Sequence, residues 1–133
     1  MARSDAPVTR TAALGLASVL LGLGAIFVTR TETATKLFGL PRLEPAGPLV
    51  RALGFRDLAL GWAMIAFARG GEWSSLSRLA AAFALVPLGD AAIVAWSRRR
   101  AGRPAVALHL ASAIALGGLA LAAASRPGSR RGD

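Results

Sequence analysis

The stretch LVRALGFRDLALGWAMIAFA, residues 49–68, decides the fold of this chain. It is apolar except for Arg51 and the adjacent pair Arg56 and Asp57, and it is long enough for a helix to cross about 30 Å of hydrocarbon. Charged side chains at that depth are costly unless they face a protein interior, a partner charge or a water-filled cavity. The stretch therefore predicts a transmembrane helix that carries a buried polar site.

Three further apolar blocks of similar length accompany this stretch. The chain has 133 residues, 54% of them hydrophobic, and a soluble protein of this size has too little polar surface to cover four such helices. The sequence predicts an all-α integral membrane protein, a four-helix bundle, because a helix satisfies its own backbone hydrogen bonds in lipid. The predicted helices are residues 11–29, 49–68, 76–96 and 104–124. Residues 1–10 are predicted to be a polar N-terminal tail, and residues 125–133 a disordered basic tail.

Two connections carry local signals. The segment TETATKLFGL, residues 31–40, can form a short helix on the membrane surface, with Lys36 toward the lipid headgroups. The short turn at residues 69–75 contains Gly70 and Gly71, which predicts that the second and third helices are antiparallel neighbours. Basic residues are divided almost evenly between the two sides of the bundle, so the positive-inside rule gives no orientation.

The net charge of +9 raises the question of nucleic-acid binding. The basic residues cluster at the ends of the apolar blocks, as in the run Arg98-Arg99-Arg100, and this distribution is typical of side chains that contact lipid headgroups. No basic run is interleaved with the aromatic residues that stack on bases. The sequence therefore predicts a lipid bilayer as partner and no nucleic acid. The abundance of arginine and alanine indicates a bacterial genome. Together with the four predicted helices, it predicts a multi-pass protein of the inner (plasma) membrane.

The chain has no cysteine, which excludes disulfides, thiolate catalysis, iron–sulfur clusters and cysteine–zinc sites. His109 is its one histidine, and a single imidazole argues against a histidine-rich metal or haem site. The sequence predicts no metal site and no cofactor.

The polar pair lies beside small residues on the second predicted helix. At 100° per residue, Met64 lies within about 40° of Asp57, and Gly54 and Gly61 lie about 40–60° away. Asp57 is therefore predicted to project beside a glycine-lined groove. Trp62 either packs between helices or lines that groove.

The two arginines of this helix have different expected environments. Arg51 is close enough to the membrane surface for its side chain to reach the headgroups, and it could also contribute to the rim of the site. Arg56 lies deeper, cannot lose its proton and needs an anion.

The third predicted helix contributes a second carboxylate, Asp90. Between antiparallel helices, Asp57 and Asp90 differ in depth by about three residues, or roughly 4–5 Å, so a cluster with Arg56 is geometrically reasonable. Pro87 precedes Asp90 by one turn and is expected to kink the helix, which either widens a pocket or only shapes the packing. His109, near the start of the fourth helix, is expected at the rim of the cluster or in helix packing.

Three phrases resemble a known family: KLFGLP (36–41), RALGFRDLALGWA (51–63) and LVPLGDAAIV (85–94). They are similar to the domain of unknown function 4267, small four-helix membrane proteins of bacteria and fungi that are loosely similar to the DoxX-like membrane proteins. The resemblance extends from Leu14 to about Leu121 and implies the fold and the membrane location. It also implies that Arg56, Asp57 and Asp90 are signature polar residues, and it implies no activity.

Four functions remain open. The first is binding of a hydrophobic small molecule, whose polar end Arg56, Asp57 and Asp90 would fix. The wider binding set would be Gly54, Gly61, Trp62, Met64, Arg51 and His109. The second is a cofactor-independent isomerase, cyclase or epoxide-opening enzyme with Asp57, Asp90 and Arg56 as catalytic residues, one aspartate protonated and the other ionised. The others are a small transporter and a structural membrane subunit, and a homodimer is possible.

Overall fold

The fold is that of a computed structural model, which describes residues 5–37, 46–97 and 103–126. These residues form five α-helices and no strand: α1 (Asp5–Thr29), α2 (Thr31–Leu37), α3 (Ala46–Gly70), α4 (Trp73–Ser97) and α5 (Arg103–Ala124). The all-α prediction is confirmed for this part of the chain. The helix count is five rather than four, because α2 is an additional short helix between the first two long ones. The rest of the segment predicted to form it, residues 38–40, lies outside the described residues.

Both predicted tails are partly ordered. α1 begins at Asp5, six residues before its predicted start, and Thr9 is only 3% exposed. Arg126, which was predicted to belong to a disordered tail, donates a hydrogen bond from Nη2 to Thr9 Oγ1 at 2.7 Å. This bond joins the two chain ends across the bundle, and α5 itself ends at Ala124. Residues 1–4 and 127–133 lie outside the described residues.

Three of the helices are long and apolar enough to cross a membrane: Pro7–Thr29, Trp73–Trp96 and Arg103–Ala124. Most of each segment faces outward instead of being buried in the protein, as is expected for helices in contact with lipid. They indicate a small multi-pass membrane protein. α3 is as long as α1 but more highly charged, since every 18-residue stretch of it contains Arg56, Asp57 and either Arg51 or Arg69.

The four long helices pack as two pairs, α1 with α3 and α4 with α5, with far fewer contacts between the pairs. α3 and α4, which only Gly71 and Glu72 separate, contact each other as predicted, but each packs chiefly against another helix. Gly71 adopts a φ of +70°, and the backbone N–H of Glu72 donates to the Phe67 carbonyl at 2.9 Å. This is a Schellman ending, in which a glycine tolerates the left-handed conformation.

We call the end of the bundle that contains the α3–α4 turn the closed end. All four long helices contribute to its buried core: Ala13, Ala17, Leu60, Met64, Ala68, Leu76, Ala80, Leu116, Leu119, Ala120 and Ala123. We call the opposite end the split end. Its separate small core consists of Phe27, Ala34 and Val50, from α1, α2 and α3, so the α4–α5 pair has no part in it.

Polar contacts also join the helices at the closed end. Ser77 Oγ of α4 donates to the Ala120 carbonyl of α5 at 2.9 Å. Arg10 of α1 donates from Nε to the Ala68 carbonyl of α3 at 3.2 Å, and its guanidinium lies 6.0 Å from the ring centroid of Trp73 of α4. The two hydrogen bonds hold the members of each pair together, and the contact between Arg10 and Trp73 links one pair to the other where their core is also continuous.

Candidate functional site

The groove of small residues beside Asp57 is filled by α1. A Cβ added at Gly54 would lie 2.8 Å from the Gly24 carbonyl oxygen, and one added at Gly24 would lie 2.7 Å from the Gly54 carbonyl oxygen. A Cβ added at Gly61 would lie 2.9 Å from the Ala17 carbonyl oxygen. Gly54 and Gly61 therefore let two helix backbones approach closely, as small residues do between membrane helices. The prediction that they line an open ligand groove is wrong, because the neighbouring helix occupies that space.

This close packing buries Asp57 on the inner face of α3, where it is 5% exposed. Its partner is the preceding residue. Arg56 donates a hydrogen bond from Nε to Asp57 Oδ1 at 3.0 Å, and its Nη2 atom lies 2.9 Å from the same oxygen in an ion pair. Adjacent helical residues do not point the same way, so the long arginine side chain must fold back around the helix to reach the carboxylate. The anion that Arg56 was predicted to need is Asp57.

The second carboxylate, Asp90, faces α5. Its Oδ2 atom lies 4.0 Å from His109 Nδ1, which is a close electrostatic contact beyond hydrogen-bond length. The His109 side chain is 4% exposed and that of Asp90 is 35% exposed. His109 therefore lies inside the bundle, whereas the sequence placed it at the rim or in helix packing. α4 continues as one α-helix through Pro87, which is buried one turn before Asp90.

A cavity of about 60 Å³ lies between the two helix pairs. We call it the polar cavity, because Arg56, Asp57, Asp90 and His109 all line it. The rest of its lining is mainly apolar and comes from all four long helices: Leu20, Leu23, Leu60, Phe83, Val86, Pro87, Ser112 and Leu116. A water molecule needs at least about 10–15 Å³ of such space, so the cavity can hold a few waters or one small polar group.

Three of the predicted binding residues lie elsewhere. Met64 is fully buried in the core of the closed end. Trp62 is 72% exposed, and Arg51 is also exposed. The alternatives predicted for Trp62, helix packing or a lining role, are both wrong within this chain, because Trp62 lies on the outward face of α3.

The sequence interpretation missed the contributions of α1 and of Ser112. α1 carries no charge between Arg10 and Arg30, so nothing in its sequence marked Leu20 and Leu23 as cavity residues. Ser112 had one available signal, since it follows His109 by three residues and therefore shares its helix face. Its hydroxyl donates to the Leu108 carbonyl at 3.0 Å.

The chemistry of the cavity follows from these contacts. Arg56 and Asp57 form a neutral ion pair, whereas Asp90 and His109 offer a carboxylate and an imidazole that can accept or exchange a proton. In the part of the chain that the structure describes, no group of three or more His, Asp or Glu side chains is arranged to hold a metal ion.

No curated protein and no solved structure matches the chain. The family described as Domain of unknown function (DUF4267) matches residues 17–123, a range that includes Arg56, Asp57, Asp90 and His109. The match extends from the middle of α1 almost to the end of α5, so it includes all the residues that line the polar cavity. The chain belongs to the DUF4267 family.

Proposed function

We propose that this chain is a four-span integral membrane protein that holds the polar end of a hydrophobic small molecule in the polar cavity. The observation that carries the proposal is the cavity itself, in which an Arg/Asp pair, an aspartate and a histidine meet an otherwise apolar lining contributed by four helices. Concave, mostly apolar sites with a few convergent polar groups are the usual form of small-molecule sites.

The outward face of α3 supports its role as the fourth span. Its exposed residues between Ala52 and Ala66 recur at helical spacing and are all apolar: Ala52, Phe55, Ala59, Trp62 and Ala66. The two charges that lie deep in the helix, Arg56 and Asp57, turn inward and pair with each other. Inward orientation and pairing are the conditions under which a membrane helix tolerates such residues.

The volume of the cavity limits how the ligand is held. About 60 Å³ accommodates one polar group and a few attached carbons, and a hydrophobic tail must lie outside it. The division of the bundle into two pairs offers a path for the tail, since α1–α3 and α4–α5 share few contacts. The polar group would be fixed inside while the hydrocarbon follows the seam between the pairs toward the lipid.

Native mass spectrometry of the full chain, released from a mild neutral detergent, tests the proposal. We expect a retained molecule that is lost in Ser112→Phe, where a larger side chain fills the cavity. It should be kept in Ile114→Phe, which lies on the same helix but is 75% exposed. Equal retention in both variants, or no retained molecule from native membranes, would contradict the proposal. The same spectra report whether the protein is a homodimer.

A second candidate is the acid–base enzyme, favoured by the different partners of the two carboxylates. Asp57 is paired with Arg56, whereas Asp90 faces His109, and such unlike environments separate the protonation states of two carboxylates. A cofactor-independent isomerase or cyclase converts its substrate into a product of the same mass. Membranes containing the protein, incubated with a lipid extract, should then yield a species of unchanged mass and shifted retention time. That species should be absent with Asp90→Asn and present with Glu32→Gln, which removes an exposed carboxylate from α2.

A further inference from the structure

The two carboxylates of the polar cavity have different basic neighbours. Arg56 donates a hydrogen bond from Nε to Asp57 Oδ1 at 3.0 Å, and its Nη2 atom lies 2.9 Å from the same oxygen. This ion pair engages the arginine that lines the cavity. Asp90 is the second carboxylate of the cavity, and Arg56 is not its ion-pair partner.

No lysine or arginine of the described residues forms an ion pair with Asp90. The basic side chain nearest to it among the described residues is that of His109, whose Nδ1 atom lies 4.0 Å away, beyond the length of a hydrogen bond. Asp90 lines the cavity, and its side chain is 35% exposed. A carboxylate in apolar surroundings binds most strongly to a partner that brings a positive charge and N–H donors.

We propose that the ligand of the polar cavity is a lipophilic amine, bound as its ammonium form to Asp90. This inference rests on the proposed function and specifies its ligand. A primary ammonium is a compact group with three donors, which suits a cavity of about 60 Å³. The first carbons of the amine lie against Leu20, Leu23 and Phe83, which line the same cavity, and the rest of its hydrocarbon follows the seam between the helix pairs.

Three probes with the same eight-carbon chain test the charge preference: octylamine, octanol and octanoate. Each is dialysed to equilibrium against the full-length protein in a neutral detergent at pH 7, with protein-free micelles as the reference for partitioning. Octylamine is protonated at this pH, as is the lysine side chain with its pKa of about 10.4. We expect octylamine to bind at least about tenfold more tightly than octanol, the difference that one charge-assisted hydrogen bond supplies. Octanoate should bind more weakly than either.

Substitution of Asp90 provides the second arm of the experiment. Asp90→Asn should weaken octylamine binding about tenfold or more and leave octanol binding nearly unchanged. Glu32→Gln removes the same charge from an exposed position on α2 and should change neither. If Asp90→Asn does not fold, the comparison of the three probes on the unmodified protein still decides the question.

The outcomes separate the two proposals. Octanol binding as tightly as octylamine, or octanoate binding more tightly, would overturn the amine inference. If Ser112→Phe abolishes the binding of octanol or octanoate in that case, the proposed function would still stand. Failure of all three probes to bind would overturn the amine inference. If none of the probes binds but native mass spectra show a retained molecule, the proposed function still stands with a ligand of another class. If the spectra also show no retained molecule, the proposed function is contradicted as well.

Discussion

At the closed end of the bundle, alanine, leucine and methionine side chains from all four long helices form one continuous core, and the hydrogen bond from Arg126 to Thr9 joins the end of α5 to α1. At the split end, the buried core is limited to Phe27, Ala34 and Val50 of α1, α2 and α3. Between the two cores lies the polar cavity, where Arg56, Asp57, Asp90 and His109 meet. The same four helices thus serve two different purposes along their length.

The difference indicates where the bundle obtains its stability. Close packing and interhelical hydrogen bonds drive association in membranes, since lipid is as apolar as a leucine side chain. At the closed end lie the contacts that join the two pairs to each other: the shared core, the Thr9–Arg126 hydrogen bond and the Arg10–Trp73 contact. A bundle secured at that end can carry charges and empty space between its helix pairs, because neither has to hold the pairs together.

The largest effect on stability is expected from Leu76→Ala at the closed end, where Leu76 is fully buried. The loss of packing and the cavity left behind should reduce the free energy of unfolding by about 2–5 kcal/mol, measured by SDS titration in mixed micelles. Leu23→Ala, beside the existing cavity, should cost less than half as much. Leu85→Ala, at a position 68% exposed, serves as the control. Equal losses for Leu76→Ala and Leu23→Ala would contradict the difference between the two regions.

The next largest effect is expected where α1 meets α3. Gly24→Ala places a Cβ 2.7 Å from the Gly54 carbonyl oxygen, so the two helices must separate, at a cost of about 1–3 kcal/mol. Gly22→Ala is the matched control, since nothing lies within 4 Å of the position of its Cβ. The same SDS titration should show a clear loss for Gly24→Ala only. An unchanged Gly24→Ala would mean that the close approach of α1 and α3 is unnecessary for stability.

A smaller effect is expected from the hydrogen bond between the chain ends. Thr9→Val keeps the shape of the side chain and removes the acceptor that Arg126 Nη2 contacts at 2.7 Å. The expected loss is about 1–2 kcal/mol, as for a partly buried hydrogen bond with a charged donor. Thr11→Val, at an exposed position of the same helix, should change the free energy of unfolding by less than about 0.5 kcal/mol. Indistinguishable variants would show that the ordered ends contribute nothing to the closed end.

The smallest effect on stability is expected when both members of the ion pair are replaced. Arg56→Met combined with Asp57→Leu should change the free energy of unfolding by less than about 1 kcal/mol, because apolar residues of similar volume often replace a buried ion pair without loss. Asp57→Leu alone should cost more, since it leaves Arg56 without its anion. A double variant as unstable as the single one would show that the pair stabilises the bundle, and would weaken the argument that it is kept for binding.

Much of the candidate site could be predicted from helical periodicity. The 100° rotation per residue identified the face of α3 that carries Asp57, and the structure buries Val50, Gly54, Gly61 and Met64 on that side. The same rotation places Trp62 about 140° from Asp57, so its outward position was already implied. What fills the groove beside Asp57 could not be predicted, because that depends on which helix packs there.

Which helices pack against each other could not be predicted from the sequence. A two-residue connection between α3 and α4 suggested neighbours, yet α3 packs on α1 and α4 packs on α5. α5 is apolar except for Arg103, His109 and Ser112, so no hydrophobic stripe showed that His109 turns inward toward Asp90. When every face of a helix can contact lipid, composition no longer marks the inner face.

The sequence by itself determined that four long helices form, three of them apolar enough to cross a membrane, and that the other carries an arginine and an aspartate that must avoid lipid. Helix length, hydropathy and the cost of charge in hydrocarbon act locally along the chain, so these properties can be read residue by residue. Only the tertiary structure decided that Arg56 neutralises Asp57, that Asp90 faces His109, and that a cavity of about 60 Å³ separates two helix pairs. Those outcomes depend on interhelical distances, which the close approach of Gly24 and Gly54 and the packed core of the closed end set together.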